Sequence, residues 1–279
     1  MGKLRVAIIS NDDSLWSLYA WNNVFNLSTF TKDNDCIGFW NCDQKLHNKK
    51  KYPAWKLFLT TFRFWNFAKL AAFLISFKIF SFIKSLAGKY HFSFTQLCKA
   101  HNIPYNKIPH PNHPDFINWV KNNNIDVLII MVDHILKSEI INAPKICVVN
   151  KHSGLLPSNK GLLPFFWAYL TDTQQGITFH KVTNEIDKGD FFYQEKVENP
   201  QLLKSMIVFY FYVHKNYYTM LDKVLKNIVA GTPIPLNEKI PSSYHSFPEA
   251  KDYAAFKKKG GKIITLSDLF LPITLFKKI

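Results

Sequence analysis

Apolar residues along this chain collect in short continuous runs separated by stretches of helical spacing. "RVAIIS" (Arg5–Ser10), "DVLIIMV" (Asp126–Val132) and "KICVVN" (Lys145–Asn150) are apolar without alternation. That is the pattern of central strands covered on both faces. "DCIGFW" (Asp35–Trp40) predicts a further strand, and "NKIPHP" (Asn106–Pro111) a short one entering a proline-rich loop. Between them, Leu15–Phe25, Phe94–Ile103 and Pro114–Asn124 have helical spacing, the last opened by a proline at its first turn. Strands alternating with helices predict an α/β fold with a doubly wound, mostly parallel sheet. "GITFHKVTNEIDKGDFFYQEKV" (Gly176–Val197) reads as a strand, a turn rich in acids and a returning strand, and Ser205–Gly231 as one amphipathic helix capped by Gly231. The expected division is a catalytic-type unit over 1–198, with 52–92 inserted in it, and a helical extension over 199–279.

The insertion breaks the pattern. Tyr52–Phe92 is crowded with Phe, Trp and Leu, yet Lys56, Arg63, Lys69, Lys78, Lys84 and Lys89 interrupt it. No run approaches the ~20 uncharged apolar residues of a spanning helix. On a helical wheel Lys56, Thr60, Arg63, Lys78, Ser81, Ser85 and Lys89 gather on one side, whereas Lys69 falls among the rings. Two readings stand: a basic amphipathic segment lying on an anionic membrane, or a helical pair packed over the domain or in a homodimer interface, its cations solvated. "LFLPITLFKKI" at the C-terminus is a second apolar and basic element.

Composition sharpens this. Of 279 residues, 35 are Lys or Arg against 20 Asp or Glu, a net charge of +15, which favours an anionic partner. Cys36, Cys42, Cys98 and Cys147 form no CxxC pair and read as free thiols in the interior. "MGKLRVAIIS" has no secretory leader pattern, and Val6 stands where a myristoylation signal needs Ser or Thr, so a cytoplasmic chain is expected. His101, His110 and His113 lack the tight spacing of metal ligands, and no metal is expected.

Candidate chemistry lies at the end of "KICVVN". Ligands of open α/β sheets sit beyond the C-terminal ends of strands, where Asn150 and His152 should project. A carboxamide N–H and a protonated imidazole can hold the oxyanion of a tetrahedral intermediate, and a carboxylate returned by the hairpin can orient and charge the imidazole. An Asn-x-His pair at a strand end is also ordinary turn chemistry, so the wider pattern decides.

"NKHSGLLPSNKGLLPFFWAYL" followed by "GITFHKVTNEIDKGD" resembles the N10-formyltetrahydrofolate-dependent formyltransferases. The matching positions are Asn150, His152, Leu155, Leu156, Pro157, Gly161, Gly176, Thr178, His180, Asp187 and Gly189. The resemblance implies a Rossmann-like catalytic domain, N10-formyltetrahydrofolate as formyl donor, and Asn150, His152 and Asp187 as catalytic residues. Val132, His134, Ile135 and Leu136 are implied pterin contacts, though a helix start with a core Ile–Leu pair explains them as well. Gly161 and Trp167 are implied acceptor contacts. Among acceptors, methionyl-tRNA calls for a C-terminal β-barrel that the tail does not suggest, and glycinamide ribonucleotide enzymes are more compact. "YHSFP" and "FKKKG" in the tail are similar to the sugar-type enzymes. The resemblance thus implies an amino-deoxy sugar, nucleotide-linked or lipid-linked, in surface polysaccharide (lipopolysaccharide, O-antigen) biosynthesis. No nucleic-acid partner is expected. A methionyl-tRNA formyltransferase, or a binding protein that keeps the fold without catalysis, remain the alternatives.

Overall fold

The computed structural model describes residues 2–44, 53–235 and 240–275. Its centre is a sheet in the order β3-β2-β1-β4-β5-β7-β8. The first five of these strands are β3 (Tyr105–Ile108), β2 (Asn34–Cys42), β1 (Leu4–Asn11), β4 (Val127–Met131) and β5 (Cys147–His152), all mutually parallel. The last two are β7 (Gly176–Lys181) and β8 (Phe191–Lys196), an antiparallel hairpin laid against β5. A two-stranded patch pairs β6 (Lys160–Gly161) with β9 (Tyr244–His245).

The unbroken apolar runs acquire their reason here. Alternate residues of β1, β4 and β5 point to opposite faces. Val6, Ile8, Val127, Ile129 and Val149 enter one core, while Ala7, Ile9, Leu128, Ile130 and Val148 enter the other. The larger core lies under α1 (Trp16–Leu27), and under α8 (Met206–Lys215) and α9 (Tyr217–Ala230) from the C-terminal third. The smaller is closed by Phe116 and Val120 of α5 (Pro114–Asn122). Cys42, Cys98 and Cys147 are buried free thiols and Cys36 is half-buried; burial pushes Cys42 and Cys98 up to about 12.

Two expectations are corrected. Ser205–Gly231 is not one helix: it breaks at Asn216 between α8 and α9. The Asn216 carboxamide donates to Tyr212 O at 3.0 Å, the local side-chain-to-backbone competition that makes Asn a poor helix-interior residue. Gly231 does end α9, in the left-handed conformation (φ 64°). The insertion, in turn, is a pair of helical stretches but is not too polar to span. Its element α3 (Ala54–Leu86) is two helices joined at a kink where Arg63 takes φ 66°. Its cations are spaced widely enough that Trp55–Leu86 is, by length and composition alone, long and apolar enough to cross a bilayer. A stripe through the fully buried Phe73 and Phe77 holds it along the domain instead.

Candidate active site

The carboxyl ends of β4 and β5 open into a cleft of about 960 Å³. Asn150, Lys151, His152 and Ser153 form its floor as β5 runs out, and Val132, Asp133, His134 and Ile135 follow β4 along one side. The turn between β7 and β8 brings in Ile186 and Asp187 from above. Residues from much later in the chain, Tyr244 and Ser246–Ala250, close the far wall, and Leu57, Thr60 and Thr61 of α3 complete it.

Asp187 is the point of convergence. Its Oδ2 is 3.6 Å from His152 Nδ1 and its Oδ1 is 3.3 Å from His180 Nε2. The backbone N–H of Gly161 donates to Oδ2 at 3.0 Å. Two backbone features make this possible. Asp187 itself is left-handed (φ 51°), which an Asp tolerates better than most residues. Gly189 is forced by contact: a Cβ there would lie 1.9 Å from Lys181 O. The hairpin can therefore fold tightly enough to return the carboxylate to β5.

The other nitrogen of His152 fixes its tautomer. Nε2 lies 2.9 Å from the carbonyl oxygen of Asn159. A carbonyl only accepts, so Nε2 carries the proton and Nδ1 presents a lone pair toward Asp187 in the neutral ring. Burial lowers the pKa of His152 from its ordinary value, with help from His180 and Lys151, against the opposing pull of Asp187 and the Asn159 carbonyl. For Asp187, burial pushes upward, but His180, His152 and the Gly161 N–H prevail and hold the carboxyl well below the carboxylate range. At rest the pair is a neutral imidazole facing a carboxylate, not the charged imidazole that the sequence suggests. The Asn150 carboxamide lines the cleft, with no side-chain hydrogen bond among the described residues.

Of the residues expected to touch donor and acceptor, Val132, His134, Ile135 and Gly161 line the cleft. Leu136 does not; it packs on the smaller core. Trp167 is also off the wall. Its indole N–H donates to Ser246 O at 3.0 Å and its ring stacks on His245 at 4.4 Å, so it braces the far wall from behind. Among residues that sequence reasoning passed over, Lys151 stands out. Its Nζ is 3.0 Å from Ser153 Oγ and 3.4 Å from His214 Nε2, and burial pulls its pKa down to about 8. Its place between Asn150 and His152 was the available signal. The contributions of α3 and Tyr210 had none, because only the fold brings those segments to the cleft.

Known proteins resemble the chain in the region that holds this cleft. Residues 95–201, which hold Asn150, His152 and Asp187, match the formyl transferase family model. Over 84 residues the chain is 37% identical to methionyl-tRNA formyltransferase of Fusobacterium nucleatum, covering 29% of this chain and 27% of that protein. Against methionyl-tRNA formyltransferase of Lachnospira eligens it is 30% identical over 101 residues, 36% of this chain and 32% of that one. The matched region thus spans under a third of each of these relatives' length. Among solved structures, a sugar N-formyltransferase from a Shewanella species is similar with a TM-score of 0.52 at 16% identity, over 87% of this chain and 76% of that one. A 4-N formyltransferase from Francisella tularensis gives 0.52 at 16%, over 97% and 88%. Glycinamide ribonucleotide transformylase 1 from Symbiobacterium toebii gives 0.54 at 10%, over 85% and 93%. At such identities the likeness is one of fold. Residues 95–201 match the formyl transferase family, and the chain that holds them has the formyltransferase fold.

Proposed function

We propose that the protein transfers a formyl group from N10-formyltetrahydrofolate to the amine of an amino-deoxy sugar. One observation carries this reading: Asn150, His152 and Asp187 meet in one cleft, with complementary hydrogen-bonding roles. Ligand pockets commonly enclose ~300–1,000 Å³, so a cleft of about 960 Å³ has room for a folate and an acceptor together. Val132 and Ile135 supply apolar wall for a pterin, and the backbone after β4 supplies polar edges.

The donor supplies a formyl carbon bound to nitrogen; attack by the amine forms the new carbon–nitrogen bond, and the old one breaks on collapse. The Asn150 N–H holds the oxygen as its charge develops. His152 Nδ1 takes the proton released by the attacking amine and becomes an imidazolium. Asp187, 3.6 Å away and already ionised, stabilises that charge. The imidazolium then returns the proton to the leaving nitrogen, giving a formamide and tetrahydrofolate. A neutral resting His152 suits this role, since a ring charged beforehand has no lone pair to accept with.

The sugar acceptor is favoured by the cleft's far wall, Tyr244 and Ser246–Ala250, which comes from the tail stretch similar to sugar-type enzymes. Rings there suit a base or a sugar face, and Lys151, which lines the cleft, suits an anionic carrier. Incubation with N10-formyltetrahydrofolate and a panel of nucleotide-linked amino sugars, with methionyl-tRNA alongside, tests the assignment through folate release read by absorbance. Turnover of a sugar is expected. Preference for methionyl-tRNA would overturn the acceptor assignment, and folate binding without any turnover would overturn catalysis itself.

A further inference from the structure

The outward side of α3 is uncovered. Its inner stripe, Phe62, Asn66, Phe73, Phe77 and Ser81, is buried in the domain. The opposite stripe recurs at helical spacing through Phe64, Trp65, Ile75, Ile79, Phe82 and Leu86, all exposed: Trp65 76%, Ile75 63% and Leu86 74%. Between these positions it carries only Ala68, Ala71, Ala72 and Ile83, so no polar side chain interrupts it. At about 1.5 Å per residue the stripe runs for roughly 33 Å. Beside it packs the C-terminal 3-10 turn (Ser267–Phe270), tied by Lys69 Nζ to Ile264 O at 2.9 Å and by Ser76 Oγ to Leu269 O at 3.3 Å. Leu266 and Phe270 are exposed there too. A monomer in water rarely shows a continuous apolar surface of this extent.

Charge selects the occupant. The flanks of the stripe are cationic: Lys69 on one side, Lys78 on the other, Arg63 and Lys89 toward the ends. The sequence has no acidic residue between Asp43 and Asp115. A second copy of this chain, with its own net charge of +15, would set lysines against lysines across a two-fold contact. An anionic bilayer instead accepts the apolar stripe among its acyl chains and neutralises the cations at the headgroups. We propose that the outward face of α3 seats the protein flat on an anionic lipid surface, with the Leu266–Phe270 turn at the edge of the contact. Because Leu57, Thr60 and Thr61, in the helical stretch just before the Arg63 kink, wall the cleft, docking sets the cleft beside the lipid.

Flotation of the full chain with vesicles of equimolar phosphatidylglycerol and phosphatidylcholine tests the proposal. Neither folate nor acceptor is present, so the result stands whatever the cleft formylates. Strong flotation is expected, with binding at least roughly tenfold weaker to phosphatidylcholine alone. The double variant Ile75→Glu/Phe82→Glu should lose at least about tenfold in binding with an unchanged melting temperature. Should it fold poorly, Trp65→Ser removes the most exposed ring and should weaken flotation by itself. Flotation equal in parent and variants, no flotation with the anionic vesicles, or a dimer that these substitutions dissociate would overturn it.

Discussion

His152 carries a different load in this fold from the one its motif suggests. Burial, not the neighbouring carboxylate, dominates its protonation, so the rate of formyl transfer should fall as pH drops through an inflection below the ordinary value of 6.5. Asp187 opposes that lowering, so Asp187→Asn should move the inflection further down as well as reduce kcat. General acid–base partners are typically worth about 10²–10⁴-fold, and a loss of that order is expected for His152→Ala, with folate binding retained in a fluorescence titration. An inflection that stays put in Asp187→Asn would separate the carboxylate from the imidazole. Asn150→Ala, which removes the oxyanion donor, should cost roughly 10²–10³ in kcat with little change in KM. Lys151 adds a cost rather than a benefit to folding. Its pKa is lowered to about 8 from 10.5, so between those values the unfolded chain binds more protons and stability rises with pH. Lys151→Met should raise the melting temperature at neutral pH and flatten that rise, as thermal scans across the interval would report.

The hairpin β7–β8 is the element on which the site depends. A Cβ at Gly189 would meet the Lys181 carbonyl at 1.9 Å, so Gly189→Ala must move one strand away from the other. Overpacking of this kind costs about 1–3 kcal/mol, and here the displacement passes to Asp187 two residues earlier. Activity should therefore fall by more than the lowered melting temperature explains, which paired activity and thermal measurements would reveal. A second element-scale device ties the tail to the domain. Asp268, fully buried, accepts from Ser205 Oγ and from Thr265 N, each at 2.7 Å, and faces Lys204 at 3.4 Å. Ser205 also caps α8, so one carboxylate joins the start of that helix to the turn lying beside α3.

At the scale of the whole molecule, several buried imidazoles set the response to acid. Burial lowers the pKa of His214 well below its ordinary value and also lowers those of His152, His91, His101 and His245. A base with a lowered folded pKa binds fewer protons folded than unfolded just below 6.5, so stability rises with pH there and is lost as pH falls. Asp187, lowered in the folded state, contributes stability above the ordinary 3.8 that disappears only at stronger acidity. The melting temperature should thus begin to decline on going from pH 7 toward pH 5, before carboxylates titrate. A flat profile across that interval would show that these imidazoles gain protons without unfolding.

Much of the central sheet was legible along the chain because burial on both faces leaves a one-dimensional trace: a strand such as Val127–Met131 has no room for a polar residue. The Asn-x-His pair and the tight hairpin were legible too, since backbone demands at positions such as Gly189 restrict the residue type locally. Helix faces were not. The helical wheel of 52–92 grouped Ser81 with the solvated side, yet Ser81 is 2% exposed while the ring-rich side faces out. Which side of a helix is inward depends on what packs against it, and for α3 that partner is assembled from residues up to 195 positions away. Leu136 and Trp167 illustrate the same limit at the cleft, where proximity in sequence to a motif does not place a side chain on the wall. Chemistry and strand order follow from local sequence because they are set by backbone sterics and periodicity; the inward face of α3, the far wall of the cleft and the resting charge of His152 follow only from tertiary packing, which decides what is removed from water.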